Sequence, residues 1–300
     1  MHKNPLISVV VPTFNRAHLI EHTLQSLLRQ TWTDYEIIVV DDGSSDNTEC
    51  VVKKIGNLRI RYFNKENAER AAARNYGVQK AQGDYINFFD SDDLALSNHL
   101  YEAVKMIESK SSPEWFHLGF AVVNKFCEVI CEINSFSGDT LQKYIPYGNR
   151  LSANGVFIRK DIALMHPFNE ERKLSASEDY ELWYRLAARY PLYYSNIITS
   201  HVVEHEDRSI NKLNGQYLID RINILLDSLR NDVEVQKVFK NIFFDTESCM
   251  AIHLALHLSV ESQWKWRALN ELIKGILLSP KSIINRQVYA VIRNLLFRWD

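Results

Sequence analysis

The sequence predicts an α/β protein with a mostly parallel sheet and a C-terminal α-helical extension. Up to about residue 95, short apolar runs typical of buried strands alternate with segments of helical periodicity, which implies parallel strands and right-handed crossovers. Polar side chains follow three of these strands at their carboxyl ends, where open parallel sheets bind ligands. From about residue 211 onward the apolar spacing is helical to the end of the chain.

The repeat begins with a predicted strand over residues 6–11, which are nearly all apolar, as in a strand covered on both faces. A turn at 12–16 leads into a helix with apolar residues at i, i+4, i+7 and i+8, and a second strand follows over 36–40. Asp46 and Glu49, three residues apart, predict a capping box that opens a short helix.

Three further elements complete the repeat. The one-sided alternation of 59–63 predicts a strand, and the alanine-rich segment 69–81 predicts a helix. The next strand, 84–89, ends in the Asp-Ser-Asp-Asp stretch 90–93, and alternation would send the first two carboxylates to one side. Such close charges repel unless water or a cation screens them, and hard oxygen ligands suit Mg²⁺ or Mn²⁺. A solvated turn that caps the next helix explains the cluster equally well.

After these carboxylates the pattern changes from βα alternation to paired strands. Residues 115–123 and 126–133 predict a hairpin, and 154–159 predict a further strand. A later helix begins with Glu178 and Asp179, an arrangement that the helix dipole alone favours by roughly 0.3–1 kcal/mol. The change of pattern marks the second half of the same domain.

Composition and charge argue against several functions. The 300 residues carry a net charge of −2, which gives no basic footprint for nucleic acid. The first βα turn lacks the glycine-rich motifs of a Rossmann dinucleotide site and of a P-loop. We find no signal-peptide layout, no apolar run of ~18 residues and no C-x-x-C pair, so a cytoplasmic protein is expected.

The last segment combines basic and apolar residues. With its tryptophans, leucines and phenylalanine, it has the composition of a helix lying on an anionic membrane surface. A solvated basic face over a packed helical pair explains the same composition equally well. The basic residues are Lys265, Arg267, Lys274, Lys281, Arg286, Arg293 and Arg298.

Five ordered motifs resemble those of the family 2 glycosyltransferases. They are VVVPTFNR at 9–16, VVDDGSSD at 39–46, ARNYG at 73–77, FDSDD at 89–93 and SED at 177–179. The resemblance covers about residues 5–210 and implies the GT-A fold, a mostly parallel, Rossmann-like mixed sheet. Within 1–210, a nucleotide-binding half would span about 1–95 and an acceptor half about 96–210, with 211–300 as a helical region. The resemblance also implies sugar transfer from a nucleotide-diphosphate donor, with inversion.

The resemblance implies donor-binding roles for individual residues. Phe14 would lie against the base, and Asp42 would accept from uracil N3–H if the donor is a UDP-sugar. Arg74 would contact the donor, and Arg70, in a loop where many members have a glycine near Glu69, would contact a phosphate. The remaining donor-binding residues implied are Pro12, Thr13, Arg16, Asp90 and Ser91.

Metal and catalytic roles follow in the same way. Asp92, together with Asp90, would hold the Mn²⁺ or Mg²⁺ that bridges the diphosphate. His205 falls where many members have a late metal or phosphate ligand, with His201 as a rival and an ordinary surface histidine as the other interpretation. Asp179 matches the general base of the family.

The motifs together predict a metal-dependent, inverting glycosyltransferase of bacterial surface-polysaccharide synthesis. Its acceptor would be a glycan or a lipid-linked sugar, with Glu178 on the acceptor side and the basic tail at the inner face of the plasma membrane. The alternative is a non-catalytic nucleotide-sugar-binding protein of the same fold. Asp92 and Asp179 argue against that alternative, because a binding module needs no base.

Overall fold

The computed structural model of the protein describes residues 6–133, 142–205 and 214–297. The chain forms two compact units, which we call the sheet unit and the helical unit. The sheet unit contains residues 1–142, 150–182 and 190–208, and the helical unit contains residues 143–149, 183–189 and 209–300.

The described strands form one mixed sheet. They are β1 (Ile7–Thr13), β2 (Tyr35–Asp41), β3 (Ile60–Asn64), β4 (Tyr85–Phe88), β5 (Leu94–Ala95), β6 (Trp115–Val123), β7 (Val129–Ile133), β8 (Val156–Arg159) and β9 (Tyr193–Val203). Their order is β3-β2-β1-β4-β8-β6-β9-β5, and β7 pairs with β6. The pairs among β3, β2, β1 and β4 are parallel, and β8 runs antiparallel to β4. The predicted parallel sheet is therefore present, with a reversal beside β4.

The helices include the three that connect β1, β2, β3 and β4, as the sequence predicts. The first five are α1 (Ile20–Leu28), α2 (Thr48–Ile55), α3 (Glu69–Lys80), α4 (His99–Ser109) and α5 (Lys160–Met165), followed by α6 (Glu178–Ala187). The helical unit contains α7 (Gly215–Asn231), α8 (Val233–Phe239), α9 (Phe243–Leu258), α10 (Lys265–Leu278) and α11 (Arg286–Phe297). The alternation β1-α1-β2-α2-β3-α3-β4 confirms the repeat read from apolar periodicity.

Strand β1 is buried over its whole length because both of its faces are covered. Val9 and Val11 belong to a core cluster that includes Leu24 of α1. On the opposite face, α3 packs so closely that a Cβ atom on Gly77 would lie 2.3 Å from Val10 Cγ1. This close approach fixes α3, the helix that carries two arginines of the candidate site, against the central strand.

One local expectation is wrong: Asp46 and Glu49 form no capping box. Helix α2 begins at Thr48, and Asp46 accepts hydrogen bonds from the backbone N–H and the hydroxyl of that residue. Glu49 instead pairs with Lys53 one helical turn later. Asp46 also accepts from Ala17 N–H at 3.1 Å, so its carboxylate joins the turns that follow β1 and β2.

In the helical unit, α9 contributes to two apolar clusters. The first packs α9 against α7 and α10, and the second packs it against α10 and α11. Their buried members are Leu218, Ile219, Ile222, Leu226, Leu254, Leu258 and Ala268 in one, and Ile252, Ala255, Leu272, Val288 and Val291 in the other. Of the helices that the structure describes, none has the length and apolarity needed to cross a membrane. Arg298 of the predicted basic tail lies outside the described residues.

Candidate active site

The turn after β1 opens at the carboxyl edge of the parallel strands. Register pairs Thr13 with Asp41, so Phe14 and Asp42 leave the sheet at the same edge. Phe14 is 47% exposed, whereas Thr13 is buried and its hydroxyl finds no hydrogen-bond partner among the described residues. The exposed aromatic side chain of Phe14 can stack on a planar ligand. Pro12, by contrast, is a buried residue within β1.

Asp42 is only 3% exposed, and protein groups already hold its carboxylate. Lys65 Nζ lies 2.7 Å from Oδ1, and Ala68 N–H donates to both oxygens at 3.0 and 3.2 Å. A carboxylate offers about four lone-pair sites, so it can still accept one more N–H. Sequence reasoning missed Lys65, because a lysine in the loop after a strand carries no signal of its own.

The acidic stretch after β4 is a turn. The strand ends at Phe88, and Asp93 N–H donates to the Asp90 carbonyl at 3.3 Å. The predicted alternation, which placed Asp90 and Asp92 on one side of a strand, is wrong because the extended backbone stops before them. Ser91, in the middle of the turn, is 7% exposed. The three carboxylates instead point to three different partners.

Hydrogen bonds of Asn154 and Asp93 hold this turn against the sheet. Asn154 Nδ2 donates to Asp93 at 2.7 Å, and Asn154 Oδ1 accepts from Asp90 N–H at 2.9 Å. The backbone N–H of Val203 in β9 also donates to Asp93, at 2.8 Å. Asp93 is therefore a structural residue. Asn154 was not among the predicted site residues, and its only signal was a polar side chain at the start of an apolar strand.

Asp92 lies beside two cationic or basic side chains. Its Oδ2 atom is 3.1 Å from His205 Nε2 and 3.9 Å from Arg16 Nη2. Side chains of Asp92 and His205 are 17% and 15% exposed, so a ligand can reach them. The rival histidine, His201, is a β9 residue whose backbone pairs with Leu94. The structure therefore brings His205 next to Asp92.

The donor atoms at this position fit a divalent cation that a phosphate helps to hold. A carboxylate oxygen and an imidazole nitrogen are acceptable ligands for Mn²⁺, and Mg²⁺ commonly takes one or two carboxylates plus substrate phosphates. Within 6–133, 142–205 and 214–297 no group of three or more histidine, cysteine, aspartate or glutamate side chains could hold a metal ion. Phosphate oxygens would therefore have to complete the coordination sphere.

Arg74 joins the two acidic motifs. It is 1% exposed; its Nη2 atom lies 2.8 Å from Asp90 Oδ1, and its Nη1 atom lies 2.8 Å from Glu178 Oε1. Arg70, one turn earlier on α3, places Nε 3.7 Å from the same Glu178 oxygen. Glu178, which the sequence places on the acceptor side, is 2% exposed. One guanidinium thus holds the turn after β4 against the start of α6.

Asp179 and Glu178, adjacent at the start of α6, have opposite pKa shifts. Burial and the negative charge of Glu178 raise the pKa of Asp179 to about 6, although Arg74 opposes the rise. Burial acts to raise the pKa of Glu178 as well, but Arg70 and Arg74 outweigh it and the pKa is lowered. Pairs of carboxyl groups with divergent pKa values mark acid–base assignments. Asp179 is thus suited to accept a proton near neutral pH.

Three residues with left-handed backbone flank these groups. Asn15, Glu69 and Ala176 have φ angles of 51°, 72° and 70°. Such conformations cost of order 1–3 kcal/mol outside glycine and cluster at functional sites. Glu69, the first residue of α3, lies near the position where the family resemblance expects a glycine, so its backbone carries a strain that a glycine would avoid.

Comparison with known proteins identifies relatives of this chain. The model of the family described as glycosyl transferase family 2 matches residues 8–112. UDP-Glc:alpha-D-GlcNAc-diphosphoundecaprenol beta-1,3-glucosyltransferase WfgD of Escherichia coli is 32% identical over 183 residues, which cover 59% of this chain and 68% of that protein. The chain spans 35–40% of the length of three uncharacterized glycosyltransferases from Rickettsia species, at 25–26% identity.

Solved structures share the fold. S. aureus TarS in complex with UDP-GlcNAc has a TM-score of 0.71 at 20% identity, covering 96% of this chain and 88% of that one. Mannosyltransferase PcManGT from Pyrobaculum calidifontis, in complex with GDP-Man and Mn²⁺, has a TM-score of 0.60 at 18% identity, covering 100% and 89%. The mixed sheet with its C-terminal helices is the GT-A fold that the sequence predicts.

Proposed function

The chain belongs to glycosyl transferase family 2, and from this premise we propose that it transfers a sugar from a UDP-sugar to a hydroxyl of a lipid-linked acceptor, with inversion. The Arg74 contacts carry the proposal. A buried guanidinium, 2.8 Å from both Asp90 and Glu178, places the residue before Asp179 next to the turn of the donor motif. A protein that only binds nucleotide sugars has no need for Asp179 as a base, which argues against the non-catalytic alternative.

The nucleotide would lie along the carboxyl edge of β1 and β2. Phe14 offers an exposed ring for stacking the base, Asp42 offers an acceptor oxygen, and the Lys65 ammonium beside it offers a donor. Uracil presents the complementary pair, an imide N–H next to a carbonyl oxygen. Arg16 and Arg70 extend from the neighbouring turns, where partly exposed guanidinium groups can take the diphosphate. These features favour a UDP-sugar as donor.

Asp92 and His205 would hold Mn²⁺ or Mg²⁺ together with the diphosphate. When bound, such a cation stabilises negative charge on the departing phosphate oxygens as a Lewis acid. Asp90 would act mainly through Arg74, since its Oδ1 atom already accepts from that guanidinium at 2.8 Å. Arg16, 3.9 Å from Asp92, adds positive charge on the same side of the site.

Asp179 would act as the general base. The acceptor oxygen attacks the anomeric carbon and forms the new glycosidic bond as the bond from that carbon to the diphosphate oxygen breaks. The hydroxyl proton passes to a carboxylate oxygen of Asp179, and UDP leaves. A base with a pKa of about 6 is largely deprotonated at pH 7 and has enough proton affinity to assist, so its burial beside Glu178 serves the reaction.

The helical unit would bring the enzyme to the inner face of the plasma membrane, where a lipid-linked acceptor resides. Helix α10 exposes Trp266, Ile273 and Leu277 at spacings of seven and four residues. Helix α11 exposes Tyr289 and Leu296, also seven residues apart. Exposed apolar stripes of this kind on a basic helix are typical of binding to a membrane surface.

The charge of the same segment also favours binding to a membrane surface. Between Lys265 and Phe297 the sequence has six basic residues and a single acid, Glu271. Glu271 is 6% exposed, and its carboxylate pairs with Arg267 at 2.8 Å. Positive charge therefore dominates what this segment presents to solvent. An anionic lipid headgroup layer is the complementary partner.

The test of the proposed function is nucleotide- and metal-dependent binding, followed by transfer. We expect UDP-glucose or UDP-GlcNAc to raise the melting temperature in the presence of Mn²⁺, and GDP-mannose not to do so. Incubation of the stabilising donor with a synthetic GlcNAc-diphospho-lipid should then release UDP and yield a disaccharide product by mass spectrometry. Stabilisation without any UDP release, with several acceptors, would support the binding-protein alternative.

A further inference from the structure

Glu178 is not itself assigned to the donor or the metal, yet it lies buried beside the proposed base. Its Oε1 atom lies 2.8 Å from Arg74 Nη1 and 3.7 Å from Arg70 Nε. Its Oε2 atom has no hydrogen-bond partner among the described residues. Buried ion pairs contribute little net stability, and an unsatisfied carboxylate oxygen adds a cost. Fold stability therefore does not account for an ionised glutamate at this position.

Contacts with Phe168 hold Arg74 and the adjacent part of α3 in place. Its Cζ atom lies 5.2 Å from the centroid of the Phe168 ring, so the guanidinium is held over an aromatic face. The next residue, Asn75, exchanges two hydrogen bonds with the Phe168 backbone, each 2.9 Å long. Two of the five N–H groups of this rigid fork then reach Asp90 and Glu178, which belong to different elements.

We propose that Glu178 and Arg74 are positioning residues for Asp179, because their ion pair fixes the start of α6 against the turn that follows β4. This inference rests on the proposed function, in which Asp179 accepts the acceptor proton and the turn binds the donor. Misplacement by about 1 Å can slow an enzyme 10²-fold, so a bridge between the base and the donor loop has a direct kinetic value.

The same contact adjusts the proton affinity of the base. The groups that act on Asp179 are Glu178 and Asp90, which raise its pKa, and Arg74 and the Tyr180 N–H, which lower it. Replacing Glu178 by glutamine removes a negative charge while keeping the side-chain shape. The pKa of Asp179 should then fall below about 6, and the acidic limb of the rate profile should move to lower pH.

The experiment compares Glu178→Gln with Arg74→Lys and with Glu170→Gln as a matched control. Glu170 is an exposed carboxylate that also accepts from α3, at 2.8 Å from Asn75 Nδ2, but it is not in the Arg74 contacts. We measure kcat, donor KM and the pH profile by UDP release from the stabilising UDP-sugar. Asp179 is titrated separately by carbon-13 NMR of its carboxyl group, without substrate.

For Glu178→Gln we expect kcat to fall about 10- to 100-fold with donor KM changed less than about threefold, and the acidic limb to shift downward. Arg74→Lys, whose ammonium is a point charge without the two-pronged fork, should lose kcat similarly, and Glu170→Gln should behave as the wild type. A merely structural role would lower the melting temperature and leave kcat of the folded fraction and the Asp179 titration unchanged, which overturns the inference.

The two readouts separate this inference from the proposed function. If the wild-type protein turns over no donor while Glu178→Gln still lowers the NMR titration midpoint of Asp179, the proposed reaction fails and the coupling between the two residues stands. If the wild-type protein turns over donor and neither Glu178→Gln nor Arg74→Lys alters kcat or the titration, the reaction stands and the positioning role is wrong.

Discussion

The three aspartates that follow β4 have identical side chains but bind different partners. Asp90 lies against Arg74, Asp92 against His205, and Asp93 against Asn154, although the three acids occupy four consecutive positions. The turn that replaces the expected strand explains this divergence, because it sends each carboxylate to another part of the sheet unit. One acid thus lies beside a histidine, where we propose the cation, one holds a guanidinium and one holds the backbone.

Asp179→Asn should retain donor binding and lose turnover. The amide keeps the shape of the side chain but cannot accept the acceptor proton, so we expect kcat to fall by about 10²–10⁴-fold with donor affinity within about threefold. Calorimetry of UDP-sugar binding and UDP release report the two quantities. In the wild type, kcat should also decline as the pH falls below about 6, because Asp179 then becomes protonated. Full activity of the variant would remove Asp179 from the mechanism.

Asp92→Asn should abolish the metal dependence of donor binding. The change removes the carboxylate that lies 3.1 Å from His205 Nε2, and a neutral amide is a much poorer ligand for Mn²⁺. We expect UDP affinity in Mn²⁺ to drop to the value measured in EDTA, by calorimetry. Asp161→Asn serves as control, since that acid is exposed and pairs with Arg159. Equal Mn²⁺ dependence in Asp92→Asn and the wild type would contradict the assignment.

At the scale of secondary elements, α4 is joined to the sheet through a buried histidine. His99 Nδ1 lies 2.9 Å from Thr199 Oγ1, and Nε2 lies 3.3 Å from Asn87 Oδ1. Burial lowers the pKa of His99 to about 3, and burial lowers that of His117 to about 3 as well. Both imidazoles are therefore neutral in the folded protein well below their ordinary pKa.

The free energy of unfolding should consequently decrease on acidification. The unfolded chain protonates these histidines near pH 6.5 and the folded chain near pH 3, so the stabilisation is complete above 6.5 and is lost toward 3. Each histidine contributes a slope of about 1.4 kcal/mol per pH unit in that window. In His99→Gln, the free energy of unfolding measured in urea should depend less steeply on pH between pH 6 and pH 4.5, with a slope smaller by about 1.4 kcal/mol per pH unit. The exposed His22→Gln should keep the wild-type slope, and an unchanged slope in His99→Gln would contradict the explanation.

Elements were more predictable from the sequence than the contacts between them. The apolar runs identified β1, β2 and β4 because buried parallel strands need them, and the helical periodicity identified α1 and α3. The motifs also indicated which residues would meet at the sheet edge. Local spacing could not show that Glu178 is buried against Arg74, since the two residues are 104 positions apart. Nor could it show Lys65 on Asp42, because such pairs depend on loop conformation.

At the scale of the whole molecule, the two units carry different kinds of surface. All residues assigned to the donor, the metal and the base belong to the sheet unit. The helical unit instead contains the exposed apolar and basic residues of α10 and α11. The residues proposed for catalysis and those proposed for membrane binding can therefore be substituted separately.

Removing positive charge from the helical unit should weaken membrane binding and leave soluble-donor chemistry unchanged. In the triple variant Lys274→Gln, Arg286→Gln and Arg293→Gln, each lost charge should cost about 1 kcal/mol at an anionic surface, so affinity should fall at least about tenfold. Flotation with vesicles containing phosphatidylglycerol measures binding, and hydrolysis of the UDP-sugar in solution measures the site. The control replaces Lys105, Lys110 and Lys125, three exposed lysines of the sheet unit, by glutamine. If both triple variants lose vesicle binding equally, net charge rather than the α10–α11 surface is responsible, and the membrane-facing role of these helices is wrong.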